Sequence, residues 1–116
     1  MRVLILAAVM AVFSFQAHAE LPPTWSKGDR GNVGLVCKDA ETVERFLGHA
    51  DNERSFKARV EIELAAGNCA AGMFQVTLVR FVRHFQGFAG PGEMWAVGNE
   101  ENPAFTVLIP KKGQGV

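Results

Sequence analysis

Cys37 and Cys69 are the only cysteines in the chain, and its first nineteen residues determine what they are for. Met1-Arg2 forms a short positive start. Val3 to Phe15 (VLILAAVMAVFSF) follows without a charge, and Gln16-Ala17-His18-Ala19 places alanine at −3 and −1 of a cut before Glu20. A positive start, an apolar stretch and a small-residue cut are the three parts of an export signal. The thirteen-residue stretch is too short to span a bilayer, which takes about 20 apolar residues. Residues 1–19 are therefore expected to be removed, leaving no membrane anchor. No cysteine follows the cut to accept acyl chains, and the start lacks the paired arginines of the twin-arginine route. The short, alanine-rich signal points to the bacterial periplasm, with secretion beyond it as the alternative. In an oxidising compartment an isolated even pair of cysteines predicts a disulfide rather than a redox or metal site. Closing a loop of 32 residues contributes about 3–4 kcal/mol on the chain-entropy account.

Removing residues 1–19 from a chain of 116 leaves 97, enough for one small core. The mature chain keeps eleven Lys/Arg against twelve Asp/Glu, a net charge of −1. So balanced a chain gives no electrostatic case for nucleic acid or an anionic membrane as partner.

Residues 20–32 (ELPPTWSKGDRGN) are rich in Pro, Gly and charge and read as a flexible N-terminal segment, with Trp25 able to dock on the body. A single domain is expected over 33–112, and a tail over 113–116. Val33–Lys38 reads as a strand. Asp39 is placed to cap a helix over Ala40–Leu47, whose Val43, Phe46 and Leu47 share one face while Glu41, Glu44 and Arg45 point outward. Asp51–Ala66 fits a helix through Phe56, Val60 and Leu64, although Arg59 to Leu64 also alternates as a strand would. Its length, acidic start and Gly67 stop favour the helix. Phe74–Phe85 reads as a strand with a bulge near Val79, where the apolar phase slips. A turn at 87–92, a strand at Glu93–Val97, a turn at 98–103 and a strand at Ala104–Ile109 follow. The expected fold is α+β: a strand, two helices, then a three-strand antiparallel meander, with the helices packed on one sheet. A small mostly-β barrel is the alternative, should the second helix prove to be strand.

The inventory for catalysis is thin. The mature chain has His49 and His84, no tyrosine, and Ser26 and Ser55 as its serines, whereas nucleophilic catalysis needs a hydroxyl or thiol, a base and an orienting group together. Glu61 and Glu63 form a close carboxylate pair, but two residues apart on a helix do not share a face, and they read as solvated charge. His49, Asp51 and Glu53 crowd the turn between the helices and are the candidate metal ligands, although helix starts favour such residues anyway. The spacing of Cys37, His49, Cys69 and His84 matches no zinc pattern. No cofactor is called for. Arg80, Arg83, His84 and Phe88 interleave cations with aromatics, as on a surface that binds an anionic or planar partner. The same residues would also keep an edge strand soluble.

The run Val36-Cys37-Lys38-Asp39-Ala40-Glu41-Thr42-Val43-Glu44-Arg45-Phe46, with Gly67-Asn68-Cys69 and a β-rich end, resembles a group of short exported bacterial proteins. They share a signal peptide, a C-x-x-A-E helix start and a second cysteine before the last strands. The likeness covers about residues 33 to 83 and implies export, a disulfide and the fold; it carries no activity and no site residues.

The expectation is a non-enzymatic periplasmic binding or interaction module. Its partner would be an envelope protein or an anionic or planar ligand, met on the Arg80–Phe88 strand and the adjoining turn. A small envelope enzyme or metal binder around His49, Asp51 and Glu53, or a structural envelope protein, are the alternatives.

Overall fold

The computed structural model describes residues 21–111. The export signal, its cut between Ala19 and Glu20, and the tail at 113–116 lie outside the described residues. The elements are β1 (Arg30–Cys37), α1 (Ala40–Leu47), α2 (Glu53–Ala65), β2 (Cys69–Gly87), β3 (Gly90–Val97) and β4 (Ala104–Leu108). This is the α+β order read from the sequence. The sheet is antiparallel throughout in the order β1-β2-β3-β4, and it curls until β4 meets β1 at one pair, Cys37 opposite Phe105.

Both helices form for local reasons. The Asp39 carboxylate accepts from the Thr42 N–H at 2.8 Å, and Gly48 closes the other end of α1. Val43 and Phe46 are fully buried and Leu47 nearly so, which stabilises the fold by roughly 1.5–3 kcal/mol per side chain. Asn52 caps α2 by accepting from the Ser55 N–H at 3.0 Å, and Phe56, Val60 and Leu64 pack against the core. Past the helix, Gly67 takes φ 78°, a conformation that glycine adopts without strain. The helix settles the ambiguity of 51–66, and the mostly-β alternative falls with it.

β2 pairs with β1 from Cys69 to Thr77 and with β3 from Leu78 to Gly87. Register shifts between Leu78 and Arg80 and between Phe81 and Arg83 put bulges where the apolar phase slips. The strands also reach further than their patterns. β1 starts three residues before Val33, and β2 begins at Cys69, not Phe74. The turn expected at 87–92 shrinks to Phe88–Ala89, because Gly90, Pro91 and Gly92 already pair with Gly87, Gln86 and Phe85.

Alternation along β3 divides the core. Met94 and Ala96 face the helices with Val43, Phe46, Leu47 and Phe105. Trp95 and Val97 face the opposite way with Val33, Leu78 and Leu108. Buried on both faces, β3 is the centre of the molecule. Cys37 and Cys69 stand opposite one another in the β1–β2 register, 4.0 Å apart at Cα, and are joined by a disulfide. The bridge brackets the whole helical excursion.

The opposite face is covered by the N-terminal segment, expected to be flexible. Residues 24–29 are fastened to the sheet as a strap, and Arg30–Asn32 belong to β1. Gly28 donates to Leu78 O at 2.8 Å, and the Trp25 indole N–H donates to Ile109 O at 2.8 Å. Polar residues in a segment do not prevent docking when the sheet supplies partners for its backbone.

Candidate functional site

Arg80, Arg83, His84 and Phe88 do not form one surface. The bulges in β2 re-aim successive side chains to different neighbours. The Arg80 guanidinium lies over the Phe105 ring, 5.9 Å from its centroid. Arg83 clamps the Glu44 carboxylate of α1 through Nε at 2.8 Å and Nη2 at 2.6 Å, and this arginine holds Glu44 below its ordinary pKa. The His84 ring meets Leu21 O at 2.8 Å and packs edge-on against Phe81. Phe88, 43% exposed, contacts the Phe56 ring at 5.5 Å. Arg83 and His84 are engaged by Glu44 and the Leu21 carbonyl while Arg80 and Phe88 stay exposed, so the expected cation–aromatic face is divided among different neighbours. Phe88 alone leads to a site.

That site is an apolar cleft of about 180 Å³ at the tip of the β2–β3 hairpin. Phe56, Phe85, Phe88, Pro91, Val107 and Ile109 line it, and none of its lining residues carries a charge. The hairpin tip is tied down where Phe88 N–H donates to Ala50 O at 2.6 Å, in the turn after α1. Gly92 shapes the wall: a Cβ there would lie 2.3 Å from the Phe85 ring, so only glycine lets that ring fold across the strand. Rings run outward from the core in edge-to-face contact, Phe46 to Phe56 and Phe56 to Phe88, each pair 5.5 Å apart. The volume suits a single ring or a short branched alkyl group, since an apolar cavity of about 150 Å³ accepts benzene. It is smaller than the roughly 300–1,000 Å³ of sites that enclose a whole drug-sized ligand.

Two buried carboxylates went unrecognised in the sequence. Glu63, read there as solvated charge, is 1% exposed. It accepts from Arg45 Nε at 2.8 Å, Asn68 Nδ2 at 2.8 Å and Arg59 Nη2 at 3.1 Å. Arg45 first, then Asn68, draw its pKa down to about 2. The cluster joins α1, α2 and the start of β2. Glu93 is equally buried but has neutral donors: Thr24 N at 2.7 Å, Thr24 Oγ1 at 2.6 Å and Trp95 Nε1 at 3.0 Å. Burial pushes its pKa up, and the hydrogen bonds from Thr24 and Trp95 bring it below the ordinary value. Its work is to hold the strap.

Both acids left a signal in the sequence. Glu63 falls three residues after Val60 and one before Leu64, inside the apolar stripe of α2. Glu93 alternates with Trp95 and Val97. An acid at an apolar position of a regular pattern marks a carboxylate that the fold must partner.

The remaining candidates stay apart. His49, Asp51 and Glu53 are exposed, and Glu53 pairs with Lys57 at 2.9 Å. Among the described residues no three His, Cys, Asp or Glu side chains gather as a metal site. Ser26 N–H donates to the Asp29 carboxylate, and Ser55 opens α2. Glu61 is exposed while Glu63 is buried, so the two do not act as a pair. No helix among the described residues is long and apolar enough to cross a membrane. No family model, curated protein or solved structure matches the chain.

Proposed function

We propose that the chain is an exported, non-enzymatic binding module of the periplasm, and that its contact site is the cleft at the β2–β3 hairpin tip. The observation that carries this reading is the lining: a concave site walled by Phe56, Phe85, Phe88, Val107 and Ile109 without a charged side chain. A monomer gains nothing in stability by leaving rings this close to water, and exposed apolar concavities mark places of contact. The class of ligand follows from size and lining. It is an uncharged aromatic ring or branched alkyl group, carried by a larger molecule or by a partner's side chain. The export signal at 1–19 and the Cys37–Cys69 disulfide both favour an oxidising compartment, and the resemblance to short exported bacterial proteins agrees with it.

Thermal melts of the mature protein with toluene, indole and isopentanol test the reading. A ligand at about ten times its Kd adds about 1.4 kcal/mol and raises Tm accordingly. Val107→Trp, which fills the cleft, should abolish that rise while leaving the unliganded protein folded. Equal Tm rises in the filled variant, or none in either protein, would refute the assignment. Cell fractionation with intact-mass measurement tests the location: the periplasmic product should begin at Glu20 and lack two hydrogens relative to the dithiol.

A further inference from the structure

The curl of the sheet leaves a seam. β4 pairs with β1 at a single ladder position, Cys37 opposite Phe105. Past it side chains rather than ladder pairs bridge the two strands, Thr106 Oγ1 donating to Leu35 O and Leu108 reaching Gly31. Between Val33 and Gly34 on one side and Val107 to Lys111 on the other, the gap is walled by the Trp25 side chain. Its ring lies against Gly31, where a Cβ would sit 3.7 Å from the indole and 3.3 Å from Leu108 Cδ2. The indole belongs to the strap, not to the sheet. What closes the seam is thus a segment that enters the fold from outside it.

The strap is held by groups on neighbouring strands. Glu93 of β3 accepts from Thr24 N and Oγ1, and His84, its partner across the β2–β3 ladder, bonds Leu21 O at 2.8 Å. Lys111, after β4, donates its N–H to Thr24 Oγ1, and its ammonium reaches Asp29 at 3.2 Å and lies over the Trp25 ring. The titratable and charged groups that face the strap are His84, Glu93, Lys111 and Glu100, with Asp29 and Lys27 on the strap itself, Lys27 pairing with Glu100 at 3.3 Å on the exposed side. Among these, Glu93 alone holds the strap as a buried acceptor. The Leu21 carbonyl needs a donor from His84, and an imidazolium keeps that donor, so protonating His84 leaves its contact intact.

We infer that residues 21–29 form a lid over the β1–β4 seam, latched by the Glu93 carboxylate and released by its protonation while the domain stays folded. A neutral carboxyl group accepts more weakly and adds a proton that must itself be partnered beside Thr24 and Trp95. Release bares Trp25 and opens the seam onto Leu108 and Val33. The lid and the hairpin-tip cleft meet at the end of β4, where Val107, Leu108 and Ile109 line both and the Trp25 indole bonds Ile109 O.

Amide hydrogen exchange of the mature protein, read at pH 6 and again below pH 4, tests the lid after correction for the intrinsic rate. The Thr24, Trp25 and Gly28 amides should lose at least about tenfold of their protection in acid, with Met94 to Val97 unchanged, because local opening precedes global unfolding. Glu93→Gln should show the same selective loss at pH 6, and Trp25 emission should shift to the red. Loss of protection in step across the strap and β3 overturns the inference, as does a strap equally protected at both pH values. Should Glu93→Gln unfold, the pH comparison on the unaltered chain decides alone.

Discussion

The two faces of this sheet are covered in different ways. On one, α1 and α2 are laid down by the chain between β1 and β2, closed off by the disulfide and cross-linked by Glu63 to two arginines and Asn68. On the other, a short strap brings a single tryptophan and is held at its buried end by Glu93 through uncharged donors, with the Lys111–Asp29 and Lys27–Glu100 ion pairs at its more exposed edge. The helical cover is thick but incomplete, and it stops short of the hairpin tip, where the cleft lies. The strap is thin but closes its seam. Ionic partners suit a permanent joint between elements, whereas neutral donors leave a contact that a single proton weakens. Cover and site thus trade places: the strongly built face bears the cleft, and the lightly built face bears a lid.

Substitution separates the faces most sharply. Phe46→Ala empties the helical core and should cost about 3–5 kcal/mol in denaturant unfolding. Glu93→Ala strands the Thr24 and Trp95 donors and should cost about 1–3 kcal/mol, with the strap becoming the preferred site of proteolysis. Equal costs, or proteolysis starting in α2, would break the comparison.

Reduction of Cys37–Cys69 comes next. It frees a loop that spans both helices, and about 3–4 kcal/mol should go with it. Exchange in the reduced protein should rise in α1 and α2 before it rises in the strap.

Acid should then order the two faces. Both carboxylates have folded pKa values below the ordinary 4.5, so each contributes fully above that pH and loses its contribution as the pH falls. Glu63 is held down to about 2. The strap should therefore loosen first, seen in tryptophan emission, and the helices should follow at lower pH in far-UV circular dichroism. Coincident transitions would show that the faces unfold as one.

Much of this was legible from the chain, and what was not has a common cause. α1 could be read complete with its Asp39 cap, its Val43–Phe46–Leu47 face and its Gly48 stop, because each is a local effect. The phase slip at Val79 announced a bulge. It did not say where Arg80, Arg83 and His84 would then point, since that depends on which strand or helix lies opposite. The cleft is assembled from four separate stretches of chain around Ala50, Phe56, the hairpin tip and the end of β4. No local pattern encodes their meeting. Residues 24–29 misled for the opposite reason: composition spoke for flexibility, while Leu78, Glu93, Ile109 and Lys111, which hold them, lie about 50 to 90 residues along the chain.

The smallest effect is the most selective. Glu44→Ala removes an exposed clamp on Arg83 and should cost no more than about 1 kcal/mol. It leaves the cleft untouched, so binding of an apolar probe should not change. A change in affinity would return the site to the arginine-bearing strand.

The proposed contact site lies on the helical face, in the cleft at the hairpin tip. Amide chemical-shift mapping with a saturating apolar ring compound, such as toluene, tests it most directly. Ala50, Phe56, Phe88, Gly90 and Ile109 should move along a single saturating isotherm, with Trp25, Gly31 and Val33 still. Shifts centred on the strap and seam, or shifts that never saturate, would contradict it.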